Sequence, residues 1–455
     1  MTQSRLISPS PTRRNILKSA ALGSVAAIAA PYVKDSYAAG SLALGVWDHW
    51  VPGANNTLTK LCNEWGAKNN CEVKIDYITS QGEKDKLTAA AEAQAGTGHD
   101  IMSHRDWNIR IHQNVLEPLD DVVNQLTTKY GPISPVAEYL AKIKGSWRGV
   151  PTTVGSQVKP CQSRLDLYQK YAGIDLRDMF PADASKYDAA KIDTWTWDTY
   201  LDSAQKLYKA GFPVGLTMGQ TSDAVDWVGA LFNSYGVVMV DGKDNIKVNS
   251  DETRAALEYL KKLMAVNPPE VYAWDDAGNN RWIISGKGSG IMNPPSSWAV
   301  AIRDNKPVGE QLWQHAMPKG PKGRFVGQLP QFYGLWSFSK NKSAAKDLLL
   351  YISQKEAVAQ LVAASSGYDL PSFKSMYDIT TWQTVEPPVG VVYNYPPRGD
   401  EQTSITGAPA RSEVGAQIYN QAINTVMVAK VTQGNEKIDD VIKWAENELE
   451  GTLRA

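Results

Sequence analysis

The stretch LALGVWDHWVPG, Leu42–Gly53, begins the pattern that decides the fold. An apolar strand ends where the polar and turn-forming residues 48–53 begin. A helical pattern over 56–68 follows, then an alternating strand over 71–78, and a second helix and a third strand complete the unit by residue 107. This β-α-β-α-β order predicts an α/β fold with an open parallel sheet and right-handed crossovers.

Two clusters of aromatic and polar residues, 47–50 and 104–107, fall at the ends of predicted strands. In open parallel sheets, ligands bind beyond the carboxyl ends of the strands. The chain also contains 15 Trp and 20 Tyr against 7 Phe. Trp and Tyr combine an apolar ring with a polar group, which suits a ligand cleft. These features predict an aromatic-lined binding site at the edge of the sheet.

Length and charge narrow the class of protein. The 455 residues are enough for two or three lobes, and 47 Lys and Arg against 48 Asp and Glu give a net charge of -1. A chain so close to neutrality offers no charge excess that would attract nucleic acid or a membrane surface. We therefore expect neither as a partner.

The N-terminal segment 11–40 reads PTRRNILKSAALGSVAAIAAPYVKDSYAAG and is typical of an export signal. Its apolar run is too short and too rich in Ala to span a bilayer stably. We predict a signal peptide over 1–38, cleaved after Ala38; the alternative is an amphipathic helix of the folded domain. The pair Arg13-Arg14 resembles a twin-arginine signal, which implies export of the folded protein to the periplasm.

The three cysteines are Cys62, Cys71 and Cys161, too few for a disulfide scaffold. Cys62 lies on a predicted helix and Cys71 begins the next strand, so these two could pair in an oxidising compartment. Three free, buried thiols are the alternative.

Motifs for catalysis and metal binding are missing from the sequence. None of the five histidines lies in a His-Glu-x-x-His pattern, and the sequence has no Gly-x-Ser-x-Gly, P-loop or Cys-x-x-Cys. The adjacent pairs Asp120-Asp121 and Asp275-Asp276 are typical of solvated charge or helix caps. We expect a binding protein that needs no metal or cofactor. A secreted carbohydrate-active enzyme stays an alternative, because the sequence does not give the distance between two carboxylates.

Several short motifs, each weak alone, occur in an order that resembles the family-1 extracellular solute-binding proteins of ABC importers, the sugar-binding group typified by maltodextrin-binding protein. Together they span nearly all of the chain that follows the signal. The motifs are Gly98–Ile101, Gly149–Pro151, Arg164–Leu167, Thr196–Asp198, Phe232–Gly236, Ile284–Gly288, Ser296–Trp298, Pro318–Pro321 and Lys340–Ala345.

This resemblance implies a periplasmic-binding-protein-like fold, in which two α/β lobes are joined by a hinge that the chain crosses three times. We place the crossings near Val150-Pro151, Ile284-Ser285 and Phe332–Leu335. The lobes would then be 39–150 plus 285–332 for lobe 1, and 151–284 plus 333–455 for lobe 2. The ligand would lie between the lobes of a monomer, and the membrane subunits of an ABC importer would recognise the closed, liganded form.

The resemblance also suggests which residues contact the solute. Trp298 matches the Trp on which the family stacks its ligand. The other candidates follow predicted strands, begin a helix of the second lobe or lie near the crossings: His49, Trp50, Asp106, Trp107, Gln157, Asp223, Trp227, Tyr333, Trp336, Tyr368 and Asp369.

Two classes of solute fit this set. A neutral sugar, oligosaccharide or polyol needs aromatic faces and many hydroxyl partners, and the resemblance favours it. A charged organic solute is the alternative. A sugar phosphate would need converging arginines, for which Arg105 and Arg398 are candidates. An amine would need an aromatic cage with carboxylates, for which the candidates are Asp48, Asp106, Trp47 and Trp107.

Overall fold

The computed structural model of the chain describes residues 40–454 except 52, 154–157, 377 and 380–399. The predicted signal peptide and Gln157 lie outside the described residues. Of the helices in the described part of the chain, none combines the length and the apolar character needed to cross a lipid bilayer.

Fourteen strands are described, and most of them are short. They are β1 Gly40–Trp47, β2 Cys71–Ile78, β3 Ile101–Arg105, β4 Lys142–Ile143, β5 Ser146–Trp147, β6 Val150–Pro151, β7 Val158–Lys159, β8 Cys161–Arg164, β9 Gly290–Met292, β10 Leu312–His315, β11 Lys319–Gly320, β12 Gly323–Gln328, β13 Gln331–Leu335 and β14 Gln402–Ser404.

Helices connect and cover these strands. The α-helices are Ala54–Asn69, Lys84–Ala95, Asn108–Ile111, Asp120–Tyr130, Pro135–Ala141, Leu165–Leu167, Leu176–Met179, Ala189–Asp193, Trp197–Lys209, Ser222–Tyr235, Asp251–Met264, Gly278–Ile284, Ser296–Asp304, Lys306–Gly309, Lys342–Ile352, Lys355–Ala364, Ser412–Asn420, Ile423–Thr432 and Ile438–Arg454. Single turns of 3-10 or π-helix are Gln81–Glu83, Gln113–Val115, Tyr168–Ala172, Ala184–Lys186, Pro269–Ala273 and Lys374–Met376.

The first sheet has the strand order β2-β1-β3-β13-β6. β1 is parallel to β2 along its whole length and parallel to β3, so the predicted β-α-β-α-β unit is confirmed. β13 is antiparallel to β3 and β6. Helix Ala54–Asn69 buries its apolar face, which includes Leu58, Leu61 and Trp65, in the same core as Leu42 and Leu44 of β1. We call this body lobe 1.

Lobe 2 is built on strands that are antiparallel except for the parallel pair β12 and β14, and on a larger set of helices. β8 pairs with β10 on one side and β9 on the other, and β12 pairs with β7, β11 and β14. Thr196 and Ser250 cap the helices Trp197–Lys209 and Asp251–Met264 through their hydroxyl oxygens, as their sequence positions predict. The mixed α/β fold class is confirmed.

The predicted lobe boundaries are wrong for two segments. We predicted 285–332 in lobe 1, but β9 and β10 of that segment pair with β8 in lobe 2. We predicted 333–455 in lobe 2, but β13 and residues 344–379 pack in the lobe 1 core. The correction follows from strand pairing over more than 120 residues, which no local pattern encodes.

The hinge crossings change accordingly. The chain leaves lobe 1 after β6, close to the predicted position at Val150-Pro151, and returns between β12 and β13. The predicted crossing at Ile284-Ser285 is wrong, because it lies within lobe 2 between helix Gly278–Ile284 and β9. The predicted crossing at Phe332–Leu335 is β13 itself, just past the return.

The predicted Cys62–Cys71 disulfide is also wrong. Cys62, Cys71 and Cys161 are all free and buried. Cys62 points from its helix into the lobe 1 core, whereas the Cys71 thiol donates to the Glu72 carbonyl over 3.7 Å. Burial raises the pKa of the Cys62 thiol to about 12.

Candidate functional site

A cavity lies between the lobes, and we call it the cleft cavity. Residues of β1, β3 and their following loops form one wall, and residues of lobe 2 helices and loops form the other. Its lining residues are Trp47, Trp50, Ser80, Arg105, Ser222, Asp223, Asp276, Asn293, Ser296, Leu329 and Tyr368. Such a mixture of aromatic rings and convergent polar groups is typical of a small-molecule site.

The aromatic side of the cleft cavity belongs to lobe 1. Trp47 ends β1, and its ring stacks on that of Tyr368 with 6.4 Å between centroids and 28° between planes. The Trp47 indole N–H donates to Ser80 Oγ over 3.3 Å, which fixes the ring. Trp50 packs against the same cluster and is only partly buried. Trp47 and Tyr368 are therefore held in place before any ligand arrives, while Trp50 stays partly exposed.

Arg105, at the end of β3, connects the two lobes. In lobe 1 its guanidinium makes two hydrogen bonds to Asp85, with Nε–Oδ2 at 2.6 Å and Nη2–Oδ1 at 3.0 Å. Across the cleft, Nη1 donates to Ser222 Oγ over 3.2 Å and lies 3.6 Å from Asp276 Oδ2. This bidentate pairing with Asp85 fixes the side chain against the cavity wall.

Lys159, on β7, is the second buried cation. Its ammonium lies 2.9 Å from Asp223 Oδ1 and 2.7 Å from Asp226 Oδ2, and the residue is 1% exposed. Asn279 donates to the other oxygen of Asp223 over 2.9 Å. Asp223 lies in the first turn of helix Ser222–Tyr235, where the helix N-terminus favours a carboxylate.

Burial raises the pKa of three carboxyl groups near the lobe boundary. It raises the pKa of Asp226 to about 7, although Lys159 opposes the shift. It likewise raises the pKa of Asp276 to about 7 against the opposing charge of Arg105. The pKa of Asp106 is also raised by burial, with Lys159 opposing. Asp226 and Asp276 therefore hold protons at pH values at which an exposed Asp would have lost them.

A second cavity is lined by Trp47 and other residues mostly of lobe 1, and we call it the lobe 1 cavity. His49 and Asp369 on its wall are paired, with Nε2 and Oδ1 at 3.1 Å. Because His49 Nδ1 accepts from the backbone N–H of Val51, the proton of a neutral His49 is on Nε2 and is donated to Asp369. Its lining residues are Val46, Trp47, His49, Ala54, Asn55, Leu58, Ser103, Thr152, Thr153, Gln331, Tyr333, Leu361 and Asp369.

Six of the predicted ligand residues line these two cavities. Trp50, Asp223 and Tyr368 line the cleft cavity. The lobe 1 cavity is lined by His49, Tyr333 and Asp369. Asp106 is 3% exposed and lines neither of them, but it lies near Lys159. Gln157 belongs to the residues that the structure does not describe.

Three predicted tryptophans belong instead to the cores of the lobes. Trp107, Trp227 and Trp336 are each at most 1% exposed. Their indole N–H groups donate to the Thr406 carbonyl over 3.0 Å, to the Thr217 carbonyl over 2.8 Å and to Glu92 Oε2 over 2.9 Å, in that order. We correct them to packing residues, because the polar group that suggested a ligand contact is used within the protein.

Trp298, predicted to stack on the ligand, lies in a small apolar cluster. It is 6% exposed and packs among Ile283, Ile291 and Leu312 of lobe 2 and Leu370 of lobe 1. The Trp298 prediction is therefore corrected to a packing role next to the cleft.

The sequence reasoning missed several residues of the cleft wall. We named Arg105 only as a candidate ligand of a sugar phosphate, but its guanidinium pairs with Asp85. We assigned Asp276 to solvated charge, but it is 8% exposed, whereas its neighbour Asp275 pairs with Arg281 at the surface. Trp47 could have been found, because it directly precedes the polar residues at the end of β1.

Among the described residues, no group of three or more His, Cys, Asp or Glu side chains is arranged to hold a metal ion. Catalysis would need a reacting group that is activated by a neighbour. Among the lining residues of the two cavities, the His49–Asp369 pair most resembles such an activated group. What the arrangement can do chemically is bind, through aromatic faces and hydrogen-bonding groups contributed by two bodies.

Solved structures of solute-binding proteins have the same fold. Maltose-bound MalE3 of T. maritima aligns with a TM-score of 0.69 at 17% identity, over 90% of this chain and 99% of that one. A sugar transporter protein from Arthrobacter chlorophenolicus A6 with bound laminaribiose gives 0.69 at 15% identity, over 90% and 99%. A solute-binding protein from Agrobacterium vitis S4 with bound D-mannitol gives 0.66 at 17% identity, over 91% and 99%.

At these identities the structural likeness establishes the fold and not the ligand. A search of curated proteins finds no match. The family model described as bacterial extracellular solute-binding protein matches residues 60–387, which is more than half of the chain. The chain therefore belongs to the bacterial extracellular solute-binding protein family.

Proposed function

We propose that this protein captures a sugar, oligosaccharide or polyol in the cleft cavity and delivers it to an ABC importer. The observation that carries the proposal is the cavity itself, which both lobes line with aromatic rings and hydrogen-bonding groups. The three similar structures described above hold maltose, laminaribiose and D-mannitol, which supports this class of solute.

The chemistry of the lining matches the two faces of a carbohydrate. The partly exposed ring of Trp50 suits the apolar C–H face of a sugar. The hydroxyls of Ser222 and Ser296 accept hydrogen bonds from Arg105 and Asn280, so each keeps its own hydrogen to donate to a solute oxygen. The carboxyl groups of Asp276 and Asp223 also line the cavity and would pair with solute hydroxyls.

Capture requires that the solute stabilises the closed arrangement of the lobes over the open one. Lining residues from both lobes make this possible, because opening the hinge separates Trp50 from Ser296 and so divides the contacts. Periplasmic binding proteins close around their ligand by a hinge motion of this kind. The closed form would then be the one that the importer's membrane subunits recognise.

Export and cellular location follow from the N-terminal sequence. The twin-arginine-like segment with Arg13-Arg14 would carry the folded chain across the membrane, and cleavage after Ala38 would release it into the periplasm. We propose that it acts there as a monomer. Its family consists of binding proteins, and we propose no catalytic role.

A thermal-shift screen of the mature protein against sugars, oligosaccharides, polyols, sugar phosphates and amines tests the proposal. A carbohydrate or polyol should raise the melting temperature, because a ligand that binds only the folded state stabilises it by mass action. Titration calorimetry then gives the affinity. A shift by sugar phosphates alone, or by no carbohydrate or polyol, would contradict the proposed function. Cleavage of a labelled oligosaccharide would favour the enzyme alternative.

A further inference from the structure

The charges that are buried along the lobe boundary do not balance. Two basic groups, Arg105 and Lys159, face a larger set of buried carboxyl groups. These are Asp85, Asp106, Asp223, Asp226 and Asp276, each less than a tenth exposed. A buried carboxylate without a compensating charge is costly, and taking up a proton removes that cost.

Both basic groups are committed to carboxylates other than Asp276. Arg105 gives two hydrogen bonds to Asp85, at 2.6 and 3.0 Å, and only its third nitrogen approaches Asp276, at 3.6 Å. Lys159 lies within 2.9 Å of an oxygen of Asp223 and of Asp226. The charge of an ionised Asp276 is therefore only weakly compensated.

The charged groups around Asp276 come from both lobes. Lobe 1 contributes Arg105 and Glu83, and lobe 2 contributes Asp223 and Lys159. Asp276 lines the cleft cavity but is 8% exposed, and its Oδ1 has no hydrogen-bond partner among the described residues. An ionised carboxyl needs water or donors at both oxygens, so these surroundings favour the neutral form.

Opening the hinge would undo this burial. The structure shows the closed arrangement, in which Arg105 of lobe 1 contacts Ser222 and Asp276 of lobe 2 across the cleft. Opening separates these groups and admits water, which solvates Asp276 as it solvates an exposed Asp. The closed form therefore binds a proton more tightly than the open form, and a ligand shifts the equilibrium towards the form that it binds better.

We propose that a proton on Asp276 holds the two lobes together when no solute is bound, and that the ligand-free protein opens as this carboxyl ionises. The inference rests on the proposed function and adds a form of regulation to it. Ser222 and Ser296 of the cleft wall are buried in the closed form, so a solute reaches them only after opening. The surrounding pH would then set the fraction of protein that is ready for capture.

The expected size of the effect follows from the two protonation equilibria. Burial, opposed by Arg105, raises the pKa of Asp276 to about 7 in the closed form, against about 3.9 for an exposed Asp. Because the closed-form pKa is the higher one, the proton's stabilisation of the closed form is complete below about pH 4 and is lost as the pH rises through 7. Between pH 6 and pH 8 the ratio of closed to open protein should fall about tenfold.

Förster resonance energy transfer between dyes on the two lobes measures this ratio in the ligand-free mature protein. The substitutions Leu87→Cys in lobe 1 and Lys287→Cys in lobe 2 provide the attachment sites, because both positions are exposed and the native cysteines are buried. The closed fraction should fall as the pH is raised from 6 to 8.

Asp276→Asn assigns the effect to one carboxyl group. Asn has the shape of a protonated Asp and does not ionise, so at pH 8 this variant should keep the closed fraction that the wild type has at pH 6. Loss of a merely structural contact would instead open the lobes at both pH values. Asp275→Asn is the matched control and should follow the wild type, because Asp275 pairs with Arg281 at the surface. Melting curves of both variants verify folding.

The outcomes separate this inference from the proposed function. A wild-type closed fraction that is the same at pH 6 and pH 8 overturns the inference, whether the lobes stay closed or open. An Asp276→Asn protein that keeps the wild-type pH dependence, or that is already open at pH 6, overturns the assignment to Asp276. Sugar capture stands in each case, because the thermal-shift screen decides it, and a screen without any carbohydrate or polyol ligand contradicts the proposed function alone.

Discussion

The rings of Trp47 and Tyr368 stack at 6.4 Å, although the two residues lie at opposite ends of lobe 1 in the sequence. Trp47 ends the first strand, and Tyr368 follows the helix Lys355–Ala364. The His49 ring meets Tyr368 edge-on, with 5.1 Å between centroids. The aromatic wall of the cleft is therefore assembled by the fold, and Trp50 adds its partly exposed ring to a rigid base.

Trp50→Ala should weaken solute binding with little effect on the apo protein. A central Trp in an interface typically contributes about 2 kcal/mol or more on truncation, which is roughly a thirtyfold loss of affinity. Titration calorimetry with the best sugar of the thermal-shift screen measures this. Trp444→Ala, at a residue that packs on the lobe 2 core, should leave the affinity unchanged. If Trp50→Ala binds the sugar with wild-type affinity, the Trp50 ring does not contact the solute.

Trp298→Ala should have the opposite profile. The side chain is buried among Ile283, Ile291 and Leu312, so its truncation should lower the free energy of unfolding by about 3–5 kcal/mol. The affinity per folded molecule should change little. Denaturant unfolding of the apo variant, beside Trp298→Phe, which keeps part of the packing, measures the first effect. Unchanged apo stability with a large loss of affinity would restore the stacking role predicted from the sequence.

Replacing Arg13-Arg14 by Lys-Lys should block export. A twin-arginine signal is read through its paired guanidinium groups, and Lys does not reproduce their fork geometry. Cell fractionation followed by immunoblotting measures mature protein in the periplasm. A normal periplasmic level would show that export uses another route and would contradict the twin-arginine interpretation.

Native protein should not react with thiol reagents at neutral pH. Cys62, Cys71 and Cys161 are buried, and burial raises the pKa of Cys62 to about 12, which leaves almost no reactive thiolate. A chromogenic disulfide reagent should report no thiols in the native protein. After denaturation without a reductant it should report all three cysteines of the sequence. A single reactive thiol after denaturation would mean that Cys62 and Cys71 are bonded after all.

Local patterns predicted strands β1 to β3 of the first sheet well, because these strands and their helices follow one another in the sequence and pair with near neighbours. β1, β2 and the helix between them lie within 40–78, and the apolar spacing of that helix is visible in the sequence. The lobe boundaries failed for the opposite reason. β9 and β10 are three and four residues long, and they pair with β8 across more than 120 residues.

The sequence identified only some of the residues that line the cleft, and the physical reason is a different one. Every Trp has an apolar ring and an N–H donor, whether it faces a ligand or donates to a carbonyl inside the core, as Trp107 and Trp227 do. Asp275 and Asp276 are adjacent and identical in type, yet only Asp276 is buried beside Arg105. Such differences depend on tertiary burial, which a single sequence does not encode.

Asp226 should make the stability of the apo protein depend on pH. Burial raises its pKa to about 7 in the folded state, far above the value of about 3.9 for an exposed Asp. The folded state therefore binds more protons than the unfolded state between these values. The stabilising contribution is fully present below about pH 4, and it is lost progressively as the pH rises to 7.

Several charged groups face Asp226. Its contribution to the pH dependence of stability must therefore be measured as the difference between the wild type and Asp226→Asn. Lys159 lies 2.7 Å away, Tyr419 donates to the same oxygen over 3.3 Å, and Asp106 and Asp223 add negative charge. Relative to Asp226→Asn, the wild type should lose about 3 kcal/mol of unfolding free energy between pH 4.5 and 7.5, an order of magnitude set by the shift. Urea unfolding at several pH values measures this.

Asp251→Asn is the control for that experiment, because Asp251 is fully exposed and begins a helix far from Lys159 in sequence. Its stability difference from wild type should not follow the pattern of Asp226→Asn between pH 4.5 and 7.5. A difference between wild type and Asp226→Asn that stays constant over this range would contradict the raised pKa. It would mean that Lys159 keeps the Asp226 carboxylate ionised in the closed protein, and that the excess proton at the lobe boundary is held by Asp106 or Asp276 instead.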